Sequence, residues 1–358
     1  MGRHLGPRDV ETALRGGAVF ACGGGGYAAH GRAIGTAAVN AGRPELVGID
    51  ELPDDAWVAT IAAIGAPGGQ APWEIRGVDY IRAVQLVEKE LGARIAGLII
   101  GQNGKSSTLN AWLPAAVLGT KVVDAVGDLR AHPTGDMGSI GLANSPEPMI
   151  QSAAGGNRAQ NRYIELVVRG PTARVSPILR TAGDMSGGFI ASCRNPVRAD
   201  YVRRNAALGG ISRALSLGEA ILLAEESGRS VLHAIQDNLE AEVVGRGAVA
   251  ANTIAYVGAQ AFDIGTVTIG DCVVHTMNEH MAVVGLDGAR RATFPDVIAT
   301  LSPEGEALSS NELTVGREVV VLRVPKSRIP LSTGLLDPTV YPVAERALGL
   351  DLATYALG

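Results

Sequence analysis

The sequence predicts an α/β protein: an N-terminal parallel α/β domain with glycine-rich loops at its strand ends, then a C-terminal β-rich domain with a helical insert. Three observations predict this. Strand-length apolar runs alternate with helical patterns through the first third of the chain. The runs end in glycine-rich stretches, the clearest being Gly23-Gly24-Gly25-Gly26. From Arg162 onward short β-like runs dominate, interrupted by helical patterns near 210–239. Domains are therefore expected at 1–161 and 162–358, as a chain of 358 residues is too long for one small core.

The elements follow in order. Asp9 to Gly16 reads as a short helix and Ala18 to Cys22 as a strand leading into the glycine loop. Tyr27 to Asn40 is helical. Glu45 to Asp50 and Trp57 to Ile64 are strands, the latter running into Gly65-Ala66-Pro67-Gly68-Gly69. Gly77 to Leu91 carries apolar residues at helical spacing, Ala93 to Ile100 is a strand, and Thr108 to Leu118 is a helix kinked or broken by Pro114. Val122-Val123-Asp124 reads as a short buried strand. In the second half, Arg162 to Arg169, Ala173 to Leu179 and Ile190 to Cys193 read as strands, and Gly210 to Ala224 and Ser230 to Leu239 as helices. Strands are then expected at Glu242 to Gly245, Gly265 to Ile269, Cys272 to Met277, Met281 to Val284, Val297 to Leu301 and Glu318 to Val324.

Composition excludes several function classes. A net charge of -5 with dispersed Lys and Arg, and aromatics at 4%, offers neither a basic face nor a stacking platform for nucleic acid. No apolar run is long enough for a membrane span, and the N-terminus lacks the apolar core of a signal peptide, so a cytoplasmic protein is expected. The three cysteines, Cys22, Cys193 and Cys272, are widely spaced and odd in number, which fits free thiols rather than disulfides or a thiolate metal site.

Candidate chemistry clusters in a few stretches. Consecutive glycines can turn several backbone N–H groups toward one point, and a helix N-terminus behind Gly26 would add its dipole; the alternative is a tight turn without a ligand. Asp124 ends a buried strand and is followed by Asp128, Arg130 and His132, an acid–guanidinium–imidazole group able to supply a base, unless it is only a capped turn. Cys22 stands directly before the glycine loop, where N–H groups would activate a thiol, although a buried structural Cys is the commoner case. His275-Thr276-Met277-Asn278-Glu279-His280 lacks metalloprotease spacing, which leaves Glu279 as its most informative residue, an acid in an otherwise neutral run. Lys105-Ser106-Ser107 reads as a helix start rather than a nucleophile. No stretch has strong metal-ligand spacing; no cofactor is expected, and a divalent metal would have to be assembled from distant residues such as Asp124, His132, His275 and His280.

Taken together, these stretches resemble the S-methyl thiohydantoin desulfurase family, whose members are also described as hydantoinase-like or oxoprolinase-like. The resemblance runs nearly end to end. It rests on Ala21 to Gly26, Leu52-Pro53-Asp54-Asp55, Gly65-Ala66-Pro67, Val122 to Ala125 running on to Arg130 and Pro133, Ile211 to Gly218, Asn278-Glu279, Phe294-Pro295-Asp296 and Gly316 to Val319. Where the family reads D-A-D-G-x-G-R-A-F-P, this chain reads Asp124-Ala125-Val126-Gly127-Asp128-Leu129-Arg130-Ala131-His132-Pro133, so one acid is replaced by Val126 and the Phe by His132. The Gly101 to Ser106 segment, with Asn103, is also altered. A changed pocket points to a changed substrate.

The resemblance implies a hydrolase that adds water to a five-membered cyclic amide or amidine ring, such as an S-alkyl thiohydantoin or hydantoin. Gly23 to Gly26, Arg130, His132, Asn103 and Asn278 are then expected to bind substrate. Asp124 would act as base or position the water, with Cys22 and Glu279 as further catalytic candidates. Covalent ring opening through Cys22, or a partner subunit that binds a heterocycle without turning it over, are the alternatives. The expected partners are the small heterocycle and further copies of the chain, with no nucleic acid or membrane.

Overall fold

The computed structural model describes residues 2–65, 73–257 and 262–358. Of the glycine-rich run after the third expected strand, residues 66–69 therefore lie outside the described residues, whereas Gly65 ends its strand.

Helix α1 (Pro7–Phe20) is opened by Pro7 and by the Asp9 carboxylate, which accepts the Gly6 N–H at 2.8 Å. It runs four residues beyond Gly16, so the expected strand over Ala18 to Cys22 is replaced mostly by helix. The reason is packing. A Cβ on Gly16 would lie 1.8 Å from the Ala214 carbonyl oxygen, and one on Gly218 would lie 1.8 Å from that of Thr12. These glycines let two helices cross at backbone contact rather than stopping one of them.

Chain continues through α2 (Ala28–Ala41), β1 (Glu45–Val47), β2 (Trp57–Gly65), α3 (Gly77–Leu91), β3 (Gly97–Gln102), α4 (Trp112–Leu118) and β4 (Lys121–Asp128). The four strands lie parallel in the order β1-β4-β3-β2. Strand β1 is shorter than expected, because Ile49–Glu51 turns into a 3-10 helix. Pro114 sits in the first turn of α4, where its missing N–H has no intrahelical partner to lose. Strand β4 extends four residues past Asp124 and ends at Asp128.

The same sheet continues past residue 162. Strands β5 (Met149–Gly155), β6 (Ile164–Gly170) and β7 (Phe189–Arg198) join it antiparallel, β7 pairing with both β2 and β5. Helix α5 (Thr172–Met185) lies between β6 and β7, and α6 (Ala199–Asn205) follows β7. The expected strand over Ala173 to Leu179 is thus helical. Thr172, Val175, Leu179 and Ala182 are buried at helical spacing, while Pro177 faces solvent.

Helices α7 (Gly210–Ser227) and α8 (Val231–Leu239) form the insert, and the remaining strands make a second, antiparallel sheet. Those that matter below are β8 (Phe262–Ile269), β9 (Cys272–Met277), β10 (Glu279–Gly285), β11 (Val297–Leu301) and β12 (Glu318–Val324). The two sheets share cores. Val19, Phe20, Cys22 and Leu129 pack with Val297, Leu301 and Val320, and Met137 packs with Phe262, Met277, Phe294 and Tyr341. The carboxyl ends of β2, β3 and β4 thereby face the β9–β10 turn. Among the described residues, no helix is long and apolar enough to cross a membrane.

Candidate active site

In parallel α/β sheets ligands sit beyond the carboxyl ends of the strands, and a polar pocket of about 60 Å³ opens there. Gly65 from the end of β2, Gln102 from the end of β3 and His132 from the turn after β4 line it. Asn278 and Glu279 reach it from the second sheet. Through Ile64, Thr134, Gly135, Arg180 and Arg194 it joins a larger cavity of about 670 Å³ that also includes Asp136, Phe262 and Arg346.

Glu279 is the most perturbed acid in the pocket. It is 4% exposed, and its Oε2 has no hydrogen-bond partner. Burial pushes its carboxyl up to about 8, against the opposing pull of Arg130, Arg180 and the Gln102 amide. At neutral pH it therefore holds its proton. The glycine loop makes room for it: a Cβ on Gly24 would lie 2.5 Å from Glu279 Oε1.

His132 and Asp128 form the second functional group. Asp128 is fully buried with neither carboxylate oxygen hydrogen-bonded, and its Oδ2 lies 3.7 Å from His132 Nδ1. The His132 backbone N–H donates to Gln102 Oε1 at 3.1 Å, so one amide side chain touches both the His132 backbone and the environment of Glu279. Burial lowers the His132 pKa, with Asp128 pulling the other way. An imidazole whose charged form burial disfavours can serve as a general base, and a protonated carboxyl can serve as a general acid. Pairing two such groups across one polar pocket supports proton transfer in both directions.

The structure separates the other expected site residues from this pair. Asp124 Oδ1 accepts the Ile211 and Ser212 N–H groups at 2.9 and 3.0 Å, capping α7, and Asp124 lines neither the pocket nor the cavity. The expected base is thus a helix cap. Arg130 is fully buried and donates to the carbonyls of Ala131, Asp296 and His280, each at 2.8 Å. It ties the turn after β4 to the second sheet, and it lines neither the pocket nor the cavity. Asn103 donates to the Leu129 and Gly210 carbonyls and accepts from Thr108, a buried bracket rather than a ligand contact. Asn278 lines the pocket, yet its Oδ1 is taken by the Asp263 N–H at 2.9 Å.

The glycine loop presents carbonyls to its neighbours. Gly23 accepts from the Ser310 N–H and Gly25 from the Ser106 N–H, while a Cβ on Gly23 would meet the His280 ring at 2.5 Å. The helix behind it begins at Ala28, so Gly26 is not its N-terminus. None of Gly23 to Gly26 lines the pocket. The loop therefore gives Glu279 and His280 room instead of cradling an anion. Cys22 is fully buried among apolar side chains, and burial pushes its thiol up, away from an activated thiolate. His280 bonds Thr276 and Thr300, both at 3.0 Å, and burial lowers it to about 3, which makes it a neutral core residue. Lys105 pairs with Glu312 at 3.0 Å. Among the described residues, no group of three or more His, Cys, Asp or Glu side chains is arranged to hold a metal ion.

Gln102, Asp136, Arg180 and Arg194 were not expected. One signal was available for Arg194, a charge directly after the mostly apolar run Phe189 to Cys193 in a strand that stays buried. Arg180 and Asp136 carry no such signal. They sit in ordinary polar surroundings and meet the pocket only because α5 and the turn after β4 converge. Burial lowers Arg180 to about 10, and its guanidinium lies 4.1 Å over the Phe262 ring.

No curated protein matches the sequence at a significant level. Its structure is similar to a crystal structure of a protein from Chromobacterium violaceum, with a TM-score of 0.72 and 23% identity, covering 99% of this chain and 98% of that one. At that identity the likeness concerns the fold. The family models described as "S-Me-THD-like, N-terminal domain" and "S-Me-THD-like, C-terminal domain" match residues 8–161 and 171–334. Together they cover most of the chain and every residue of the small pocket, and the chain belongs to the S-methyl thiohydantoin desulfurase-like family.

Proposed function

We propose that this protein is a hydrolase of a small five-membered heterocycle, replacing an S-alkyl group at the carbon between the two ring nitrogens with oxygen from water. The observation that carries this reading is the buried, partly unbonded Glu279 carboxyl, protonated at neutral pH, in one pocket with His132, whose Nδ1 lies 3.7 Å from the buried Asp128. His132, whose charged form burial disfavours and whose Nδ1 lies 3.7 Å from Asp128 Oδ2, takes a proton from water as the water oxygen bonds to the ring carbon. Glu279 gives its proton to the departing sulfur as the C–S bond breaks, releasing a thiol. Transfer of the remaining hydroxyl proton to the adjacent ring nitrogen leaves the ring carbonyl and an N–H, so one water is consumed and one thiol formed. The two enzyme groups then regain their starting protonation by exchange with solvent.

A route through Cys22 draws no support from the geometry, because the thiol is enclosed among Val19, Phe20 and Leu129 with its pKa raised. The test is direct. Purified protein should release methanethiol and the corresponding hydantoin from S-methyl thiohydantoins, measured by thiol-reactive dye and mass spectrometry. Absence of both products across rings with neutral, acidic and basic substituents would sink the proposal.

A further inference from the structure

Two amide side chains stand next to each other at the end of β3 and are used differently. Asn103 is fully buried, donates to the Leu129 and Gly210 carbonyls and accepts from Thr108, so its hydrogen bonds go into holding the turn. Gln102 lines the small pocket instead. A register shift places it there: β3 meets β4 as Leu98 beside Val122 but as Ile100 beside Val126, which brings Gln102 level with Asp128 at the pocket.

Chemistry fixes which way the Gln102 amide points. The His132 backbone N–H can only donate, and it meets Gln102 Oε1 at 3.1 Å, so the other end of the amide is its NH2 group. That end reaches the Glu279 carboxyl. A protonated carboxyl has one oxygen that carries the proton and one that only accepts, so a donor held at one oxygen assigns the proton to the other. Among the described residues Glu279 Oε2 has no hydrogen-bond partner, which leaves that oxygen free to carry it.

Resting on the proposed reaction, we infer that Gln102 is a positioning residue: anchored on the His132 backbone, its amide holds the Glu279 carboxyl and presents the acid proton to the departing sulfur. One side chain thereby ties the acid to the segment that carries the base. The other titratable and charged groups facing Glu279 are Arg130 and His132 from the turn after β4, Arg180 from α5, Arg194 from β7, Asp263 from β8 and Cys22 from the turn after α1. A substitution at Gln102 leaves all of them in place. Because the amide favours the charged form of Glu279, its loss moves the titration of the acid to higher pH.

The test reads Glu279 directly. Infrared difference spectra of the full chain follow the carbonyl stretch of protonated carboxyls against pH, and the band missing from Glu279→Gln is assigned to Glu279. In Gln102→Met, which keeps the side-chain length and loses both ends of the amide, the midpoint of that band should rise by roughly half a pH unit or more. With S-methyl thiohydantoins as substrates, kcat should fall roughly 10- to 100-fold, the cost of a slightly misplaced catalytic group, with KM within about threefold of wild type. The alkaline limb of kcat should move up with the infrared midpoint. A residue that only supported the turn would lower the melting temperature and leave midpoint and limb alone. Gln102→Glu keeps an acceptor for the His132 N–H and removes the donor, so it should move the midpoint the same way, and it decides the matter should Gln102→Met not fold. An unmoved or lowered midpoint, a kcat equal to that of wild type, or a Glu279 carboxyl already ionised at neutral pH in the wild type overturns the inference. Should the wild type turn over no S-methyl thiohydantoin, the reaction reading falls and the infrared midpoint alone decides whether Gln102 holds Glu279.

Discussion

Two acids four residues apart on one strand, Asp124 and Asp128, have opposite surroundings. Asp124 is half-buried and caps α7 with two backbone N–H bonds. Asp128 is fully buried with neither oxygen hydrogen-bonded and His132 beside it. The same contrast divides Arg130 from Arg194. Of these four groups, Asp124 and Arg130 are bonded to backbone and hold elements together, whereas Asp128 and Arg194, at or beside the pocket, are left short of partners. Because a buried unsatisfied polar group is destabilising, such groups persist where a ligand or a reaction uses them. Satisfaction, more than residue type, separates the scaffold from the site.

Perturbing the unsatisfied group should act on rate. Glu279→Gln is expected to lower turnover by roughly 10² to 10⁴, with Asp128→Asn and His132→Gln in the same range. Wild-type kcat should fall as pH rises through about 8, where Glu279 loses its proton, and the acid limb should lie below the usual histidine range. A flat rate profile from pH 7 to 9, with chemistry rate-limiting, would remove Glu279 as the acid.

Perturbing the satisfied side should act on stability. Arg130→Met leaves three buried carbonyls without a donor and should destabilise by about 3 kcal/mol or more, read by urea unfolding. An unchanged unfolding midpoint would mean that those bonds are not structural.

Glu279 also ties the two sides together through linkage. Its folded pKa is raised, so its contribution to stability is full below about 4.5 and is lost as pH rises toward 8. The melting difference between Glu279→Gln and wild type should therefore be smallest near pH 5 and shift in favour of the variant by pH 8. A difference that runs the other way would contradict the burial argument.

The smallest effect is expected at Asp124. Asp124→Asn keeps the oxygen that caps α7 and loses only a charge at a helix N-terminus, which should weaken folding by roughly 0.3–1 kcal/mol with kcat unchanged. A large fall in turnover with an unaltered melt would return Asp124 to the site.

Much of the fold was legible from the chain alone. Apolar periodicity located α3, α7, α8 and most strands of both sheets, because a helix or strand that buries one face must write that face into its sequence. Two segments misled, for different reasons. At Gly16 the residue that commonly ends a helix instead permits two helices to touch, and at Gly17 it admits the Gly104 carbonyl. At Ala173 to Leu179 the apolar run is too short to separate the two periods, and its continuation to Met185 as a helix decides the matter.

The site was legible only in part. The sequence by itself determined that acids, an arginine and a histidine gather at and after the end of one strand, that a four-glycine loop precedes a helix, and that Glu279 is an acid in a neutral run. Only the tertiary structure decided which of them share a pocket. Asp124 and Asp128 differ in function because α7 begins over one and not the other. Arg130 and Arg194 differ because carbonyls from the second sheet reach one and glycines clear the space around the other. Local pattern records which face of an element is buried, but the partner each polar group meets across the junction is a long-range fact, set by how the two sheets pack.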